Sequence, residues 1–416
     1  MKMTTGQLKA MEAFCSGRNV FLSGEAGTGK SFVLNCFLDQ LPPDSQTLIC
    51  APTGIAAINI RGATMHRTFG IPTRPLLPEE KPAKLSEALL NARRIIIDEI
   101  SMCRFDVFQY AARCILEAER MSGIHKQIIL VGDFYQLPPV ITDRDREILC
   151  QLWETDDVGD GYAFQAPLWN AFDFLSIMLT EQVRQREDDE FSHHLNALRV
   201  GDKSAIEWFN LHASVAVQPG ISLCPTNREA AAINSAQASR LKGNWSTFCS
   251  DCFGKVAQSD KPTDDILRLK PGMQVMAVVN DREDRYQNGS IGIIDSISTE
   301  EKLITVLFAN GNRAVICPTN WDIYEPSLNA DGLLVMEPVG RFVQLPIRVA
   351  YAITIHKSQG QTFTCANLTP SCFATGQLYV AISRLTSISG LHLVSEIRPK
   401  FLKTSPEVVA FYDHVA

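Results

Sequence analysis

Long apolar runs are missing from this 416-residue chain, and none reaches the roughly 20 residues that a bilayer-spanning helix needs. Met1-Lys2-Met3-Thr4-Thr5-Gly6-Gln7 has none of the apolar core of a secretory signal. A basic excess is missing too: 46 acidic residues face 39 basic ones, for a net charge of −7. A protein that passively coats nucleic acid carries the opposite balance, so any nucleic-acid groove here must rely on a local positive lining. Cys249-Ser250-Asp251-Cys252 is the sole Cys-x-x-Cys, with no second pair or histidines at ligand spacing nearby. It reads as two strand residues flanking a turn rather than a zinc site. Most of the other cysteines sit in apolar patterns such as Leu48-Ile49-Cys50 and Val315-Ile316-Cys317. They are expected to be buried, reduced thiols of a cytosolic protein. Internal repeats and low-complexity tracts are absent as well. With 45% hydrophobic and 20% charged residues, the chain can bury a sizeable core, and its length implies two or three domains.

What is present begins with Gly24-Glu25-Ala26-Gly27-Thr28-Gly29-Lys30-Ser31. An apolar strand pattern (19–23) precedes it and a helical pattern (32–38) follows. Strand, glycine loop and helix start in that order form a P-loop for nucleoside triphosphates. Glycines let successive N–H groups face one phosphate chain, and the helix directs its positive end at the same charge. The expected ATP cradle is therefore Gly24, Ala26, Gly27, Thr28, Gly29, Lys30 and Ser31. Lys30 is to reach the β- and γ-phosphates, and the Ser31 hydroxyl is to sit on Mg²⁺.

Two further motifs narrow the chemistry. Arg94-Ile95-Ile96-Ile97-Asp98-Glu99 is an apolar strand ending in two carboxylates. A parallel strand delivers such residues to the same sheet edge as the P-loop. Asp98 is expected to hold the Mg²⁺ shell and Glu99 to orient or deprotonate the attacking water. Because neighbours on a strand point to opposite sides, the two acids are expected to serve separate roles. A second apolar strand, 127–131, leads into Gly132-Asp133-Phe134-Tyr135-Gln136-Leu137-Pro138-Pro139-Val140. The Gln136 amide both donates and accepts, which suits a sensor of the γ-phosphate or its in-line water.

These motifs together resemble superfamily 1 DNA helicases of the Pif (petite integration frequency) family, with phage Dda helicase and RecD as relatives. Ala51-Pro52-Thr53-Gly54-Ile55-Ala56-Ala57-Ile58-Asn59 with His66 is similar to the family's first DNA-contacting segment. Leu179-Thr180-Glu181-Gln182-Val183-Arg184-Gln185 resembles the block carrying one arginine finger. Cys224-Pro225-Thr226-Asn227-Arg228 is similar to the next block. His356-Lys357-Ser358-Gln359-Gly360 resembles the late motif that touches DNA and nucleotide, and Tyr379 to Arg384 the last motif. Asp98-Glu99-Ile100-Ser101-Met102 and Ser383-Arg384 favour the Pif side over RecD.

Apolar strands alternating with helical segments read as two α/β cores, residues 1–174 and 175–416, and the resemblance implies that these are tandem RecA-like cores. It implies a small wedge-like insertion at 67–89 and an SH3-like β insertion at about 280–345. The β-rich texture of 273–316, with turn signals at Asn288-Gly289 and Asn310-Gly311, independently reads as a small antiparallel barrel. The proline-rich stretch from Phe69 to Pro82 reads equally as the wedge or as a plain surface loop. As a wedge, it would set Phe69, Ile71, Leu76 and Leu77 against an exposed base step. Residues 104–121 sit where the family has its signature helix, and core packing accounts for their pattern too. By the same resemblance Gln7 reads adenine, and Arg184 and Arg384 reach the γ-phosphate from the second core. Thr53, Gly54, Thr64, His66, Phe69, His356, Lys357 and Ser358 touch DNA. The expected enzyme is an ATP- and Mg²⁺-dependent 5′-to-3′ helicase acting as a monomer on single-stranded, 5′-tailed or forked DNA. It is expected inside the cell, without a membrane and with little room for a further domain. A RecD-like subunit of a nuclease complex and a non-motor P-loop switch are the alternatives.

Overall fold

The computed structural model describes residues 3–42, 45–82, 84–184, 188–218 and 220–415. The chain folds into two compact units: Met1–Arg184 with Ile323–Val339 and Thr404–Ala416, and Gln185–Asp322 with Gly340–Lys403.

The first unit is built on six strands: β1 (Val20–Gly24), β2 (Thr47–Ala51), β3 (Ala63–Thr64), β4 (Arg94–Ile97), β5 (Gln127–Val131) and β6 (Leu175–Leu179). They lie in the order β3-β2-β4-β5-β1-β6, every neighbouring pair parallel. Both faces are covered, which is why these strands read as continuous apolar runs. On one face Val20 and Leu22 meet Ala10 and Phe14 of α1 (Thr5–Cys15) and Val33, Leu34 and Phe37 of α2 (Lys30–Gln40). Phe21, between them in sequence, points the other way into an aromatic cluster with Phe134, Trp169 and Phe411. Residues 105–122 form one long helix whose inner face is buried, as their spacing suggests. The boundary expected at residue 174 falls short. β6 pairs with β1 from Leu175 to Leu179, so the first unit runs on to Arg184, and the last helix, Pro406–Val415, also belongs to it.

The second unit holds a four-stranded parallel sheet in the order 352–354, 221–224, 366–368, 391–393. Beside it in sequence lies a five-stranded antiparallel sheet made of Gln274–Ala277, Ile291–Ser298, Leu303–Phe308, Arg313–Ile316 and Ile347–Val349. Gly289 and Gly311 stand at φ +92° and +85° at the turns where Asn-Gly signals them. The sheet starts before and ends after the expected 280–345, because Ile347–Val349 pairs back onto Gln274–Ala277. Cys50 is buried, but Cys317 follows the end of its strand and is exposed, as are Cys249 and Cys252. Among the described residues no cluster of three or more His, Cys, Asp or Glu is set to hold a metal ion. No helix among them is long and apolar enough to cross a membrane.

Candidate nucleotide and DNA site

The P-loop leaves β1 at Gly24, where an added Cβ would lie 2.5 Å from the Leu179 carbonyl oxygen. At Gly29, φ is +84° and a Cβ would lie 2.6 Å from Gln7 Nε2, so the loop needs glycine for both conformation and space. α2 then begins at Lys30 with no side-chain cap, which leaves its first N–H groups for an anion. Lys30 Nζ donates to the carbonyls of Gly24 (2.8 Å) and Glu25 (3.0 Å), and the loop curls round its own ammonium. Thr28 Oγ1 donates to Glu25 O, and Ser31 is exposed at the start of the helix. Gln7, 2% exposed, joins the loop directly: Nε2 donates to Thr28 O at 2.9 Å and Oε1 accepts from Thr4 N. Its amide retains one further donor and one further acceptor position.

The segment after β6 is bound to the same loop. Glu25 N donates to Leu179 O, and Val183 N and Arg184 N both donate to Gly27 O at 3.0 and 3.1 Å. Gln182 Nε2 donates to Glu25 Oε2 at 2.8 Å. Arg184 therefore belongs to the first unit, correcting its expected place in the second, because β6 carries this segment in the P-loop's own sheet. Gln185, the end of that motif, lies outside the described residues. The Glu25–Gln182 contact joins the P-loop to the arginine-bearing block across a sequence separation of 157, and only the folded sheet brings the two motifs together.

Asp98 follows β4 and is 6% exposed. Burial first, and then the neighbouring Glu99 charge, push its carboxyl up to about 7, against the Glu99 N–H bond and Lys30. Glu99 is not a strand residue: at φ 50°, ψ 43° it takes a left-handed turn. The two acids thus part company through this turn rather than through strand alternation. A non-glycine residue held there is strained, as such residues often are at functional sites. A buried carboxylate with a disfavoured charge beside a hydroxyl-bearing P-loop is an all-oxygen donor set, which fits Mg²⁺. Gln136 is 8% exposed in a loop fastened by Gly132 N to Leu22 O, Tyr135 N to Asp133 Oδ1 and Gln136 N to Asp133 O.

Two short helices, α3 (Gly54–Asn59) and α4 (Met65–Phe69), carry the next group. Thr53 and Thr64 hydroxyls accept the N–H groups of Ala56 and Arg67 as N-caps, and Gly54 is buried at the first turn. His66 is half-buried, and burial, aided by the Arg104 charge, holds its imidazole below the usual value. It opens on a pocket of about 280 Å³ lined also by Pro52, Arg74, Arg104 and Asp145. Phe69 corrects its expected role: it is 4% exposed, packed at the end of α4, because its ring completes the core. Ile71 and Leu76 are likewise buried, and only Leu77, 47% exposed, faces solvent. The proline-rich segment is strapped to the long helix: Leu76 N donates to Asp106 Oδ2, and Gln109 Nε2 and Arg113 Nε donate to Pro78 O. Trp153 Nε1 donates to Leu76 O, and Arg74 grips Glu80 with Nη1 and Nη2.

In the second unit, His356, Lys357 and Ser358 form a single 3₁₀ turn. Lys357 is exposed, and burial holds the His356 imidazole below its usual value. Ser358 departs from its expected DNA contact: fully buried, its hydroxyl donates to Ile355 O at 2.7 Å and closes the turn. Gly360 stands at φ +76° with open space around it. Arg384, 3% exposed, folds back on its own helix, with Nε donating to Val380 O and Nη2 to Ser383 Oγ.

The family model described as PIF1-like helicase matches residues 4–207. The ATP-dependent DNA helicase PIF1 of Xenopus laevis is 32% identical over 99% of this chain and 64% of that protein. This chain thus spans about two thirds or less of the vertebrate relatives it matches. The ATP-dependent DNA helicase Pif1 of Campylobacter jejuni is 30% identical over 97% of this chain and 96% of that protein. Among solved structures, Bacteroides sp Pif1 in complex with ADP-AlF4 has a TM-score of 0.87 at 31% identity, covering 100% of this chain and 97% of that one. Bacteroides Pif1 with ADP-AlF3 and single-stranded DNA has a TM-score of 0.69 at 30% identity, with the same coverage.

Proposed function

The chain belongs to the PIF1-like helicase family, and from that premise we propose that it is an ATP-dependent DNA helicase that translocates 5′ to 3′ on single-stranded DNA. The observation that carries this reading is the convergence of Lys30, Asp98, Glu99 and Gln136 at the ends of three neighbouring strands, β1, β4 and β5. Lys30, whose ammonium lies against the carbonyls of Gly24 and Glu25, reaches the β- and γ-phosphates of ATP. Ser31 and Asp98 would hold Mg²⁺, which when bound would neutralise phosphate charge. Glu99 takes the proton of the attacking water, and Gln136 reports on the γ-phosphate. Gln7 presents its spare amide positions to adenine. Arg184 and Arg384 are the arginines that answer transition-state charge, Arg184 from the P-loop's own unit and Arg384 once released from its helix.

Thr53, Gly54, Thr64, His66, His356 and Lys357 supply sequence-blind contacts to the strand backbone. The strapped 71–82 segment, tipped by Leu77, is the element that parts the duplex. The two units together make up the motor that ATP turnover drives along the strand. A single copy, acting where DNA is kept inside the cell, suffices. The test is ATP turnover with and without single-stranded DNA. The reading expects strong stimulation by DNA that vanishes in Lys30→Ala. Turnover indifferent to DNA would favour a non-motor P-loop switch instead.

A further inference from the structure

Beyond the last motif, the chain contributes one more helix, Pro406–Val415, to the first unit. Tyr412 on this helix is 6% exposed and reaches the P-loop strand and the Gln136 loop together. Its hydroxyl lies 2.7 Å from Ser23 Oγ, one residue before Gly24, and accepts from Phe134 N at 3.1 Å, two residues before Gln136. Its ring stacks on Tyr135, centroids 4.9 Å apart and planes 8° from parallel. The β1–β5 ladder pairs Leu22 with Val131, and its last strut is Gly132 N to Leu22 O. From there the two segments separate, and the Tyr412 phenol bridges the gap at the next step. Ser23 and Phe134 are both fully buried, so each polar group here needs a partner that water does not supply. Phe411 secures the helix by packing on Phe164, Phe134 and Trp169 with centroids 4.4, 5.3 and 5.7 Å away.

We propose that Tyr412 is a positioning residue for ATP hydrolysis: its hydroxyl fastens the loop that carries Gln136 to the strand that carries the P-loop. This rests on the reading of Gln136 as the γ-phosphate sensor. A loop held at one end by the ladder and at the other by a phenol keeps Gln136 at fixed distance from the phosphates. Without the phenol, the loop pivots at Gly132, and the amide is misplaced in the step where geometry counts most. Binding of ATP depends on the P-loop itself and does not need this strut.

The test removes one oxygen. Tyr412→Phe keeps the ring, the stacking and the helix; Ser23→Ala removes the other partner and serves if the first variant folds poorly. Both should lower kcat for DNA-stimulated ATP hydrolysis about tenfold while KM for ATP stays within about twofold. In a Gln136→Ala background, Tyr412→Phe should add almost nothing, because both act through one amide. Amide hydrogen exchange at 132–137 in the nucleotide-free protein should quicken in Tyr412→Phe, a readout that needs no activity. Unchanged exchange, an unchanged kcat, or a full additional loss in the Gln136→Ala background would overturn the proposal. A parent protein that exchanges as expected but never hydrolyses ATP would instead sink the helicase reading.

Discussion

Lys30 Nζ donates to the carbonyls of Gly24 and Glu25 in its own loop, neutral partners that leave the charge of the ammonium for the phosphates. Lys30→Ala should cut ATP turnover by about 10²–10³-fold, as loss of one preorganised electrostatic donor does, with little change in the melting temperature. Glu99→Gln keeps shape without basicity, so it should bind ATP, stop turning over and retain single-stranded DNA in the ATP state. A filter-binding assay with ATP checks this, and near-normal turnover would assign the water to another group. His66 and His356 both have imidazoles held below the ordinary 6.5 by burial. At neutral pH they donate as neutral rings, whereas Lys357 brings a full charge. Lys357→Ala should flatten the dependence of log affinity on log salt by about 0.7, and His66→Gln should weaken binding without changing that slope. The same depressed values fix a stability trend. As pH falls through 6.5 the unfolded chain takes up protons that the folded one refuses, so stability declines with acid. A His66→Gln/His356→Gln protein should lose part of that decline in thermal melts run from pH 7.5 downward.

At the scale of elements, the stretch 71–82 is held by buried bonds rather than by its prolines alone. Asp106 is 1% exposed and accepts both Leu76 N and the Arg104 guanidinium. Asp106→Ala should destabilise the first unit by about 1–3 kcal/mol, because it strands a buried N–H. Leu77→Ser, at the exposed tip, should leave stability and DNA-stimulated ATPase intact and slow strand separation. Equal strand-separation rates in this variant and its parent would make the segment a plain surface loop. The prolines made the absence of a regular helix here legible, but they do not say which apolar side chains turn inward. Phe69, Ile71 and Leu76 do so because the long helix 105–122 offers an apolar face, and Leu77 is left outside. The P-loop, the acid pair and the Gln136 loop were legible because each is local: strand, turn and reactive group lie in one short stretch of sequence. The left-handed turn at Glu99, the Gln182–Glu25 bond and the Tyr412 bridge were not, since each depends on residues that only the folded sheet brings together.

For the whole molecule, the alternation of apolar strands and helices was enough to read two α/β units, but not their interleaving. Ile323–Val339 and Thr404–Ala416 return to the first unit from far along the chain, and neither carries a pattern that foretells where it packs. The account stands or falls on directed movement driven by ATP. The most direct measurement is strand separation on two duplexes that differ only in carrying a 5′ or a 3′ single-stranded tail, with ATP and Mg²⁺ present. The account predicts unwinding of the 5′-tailed duplex, none of the 3′-tailed one, and none of either with Lys30→Ala. Efficient unwinding from the 3′ tail, or of both duplexes without ATP, would contradict it.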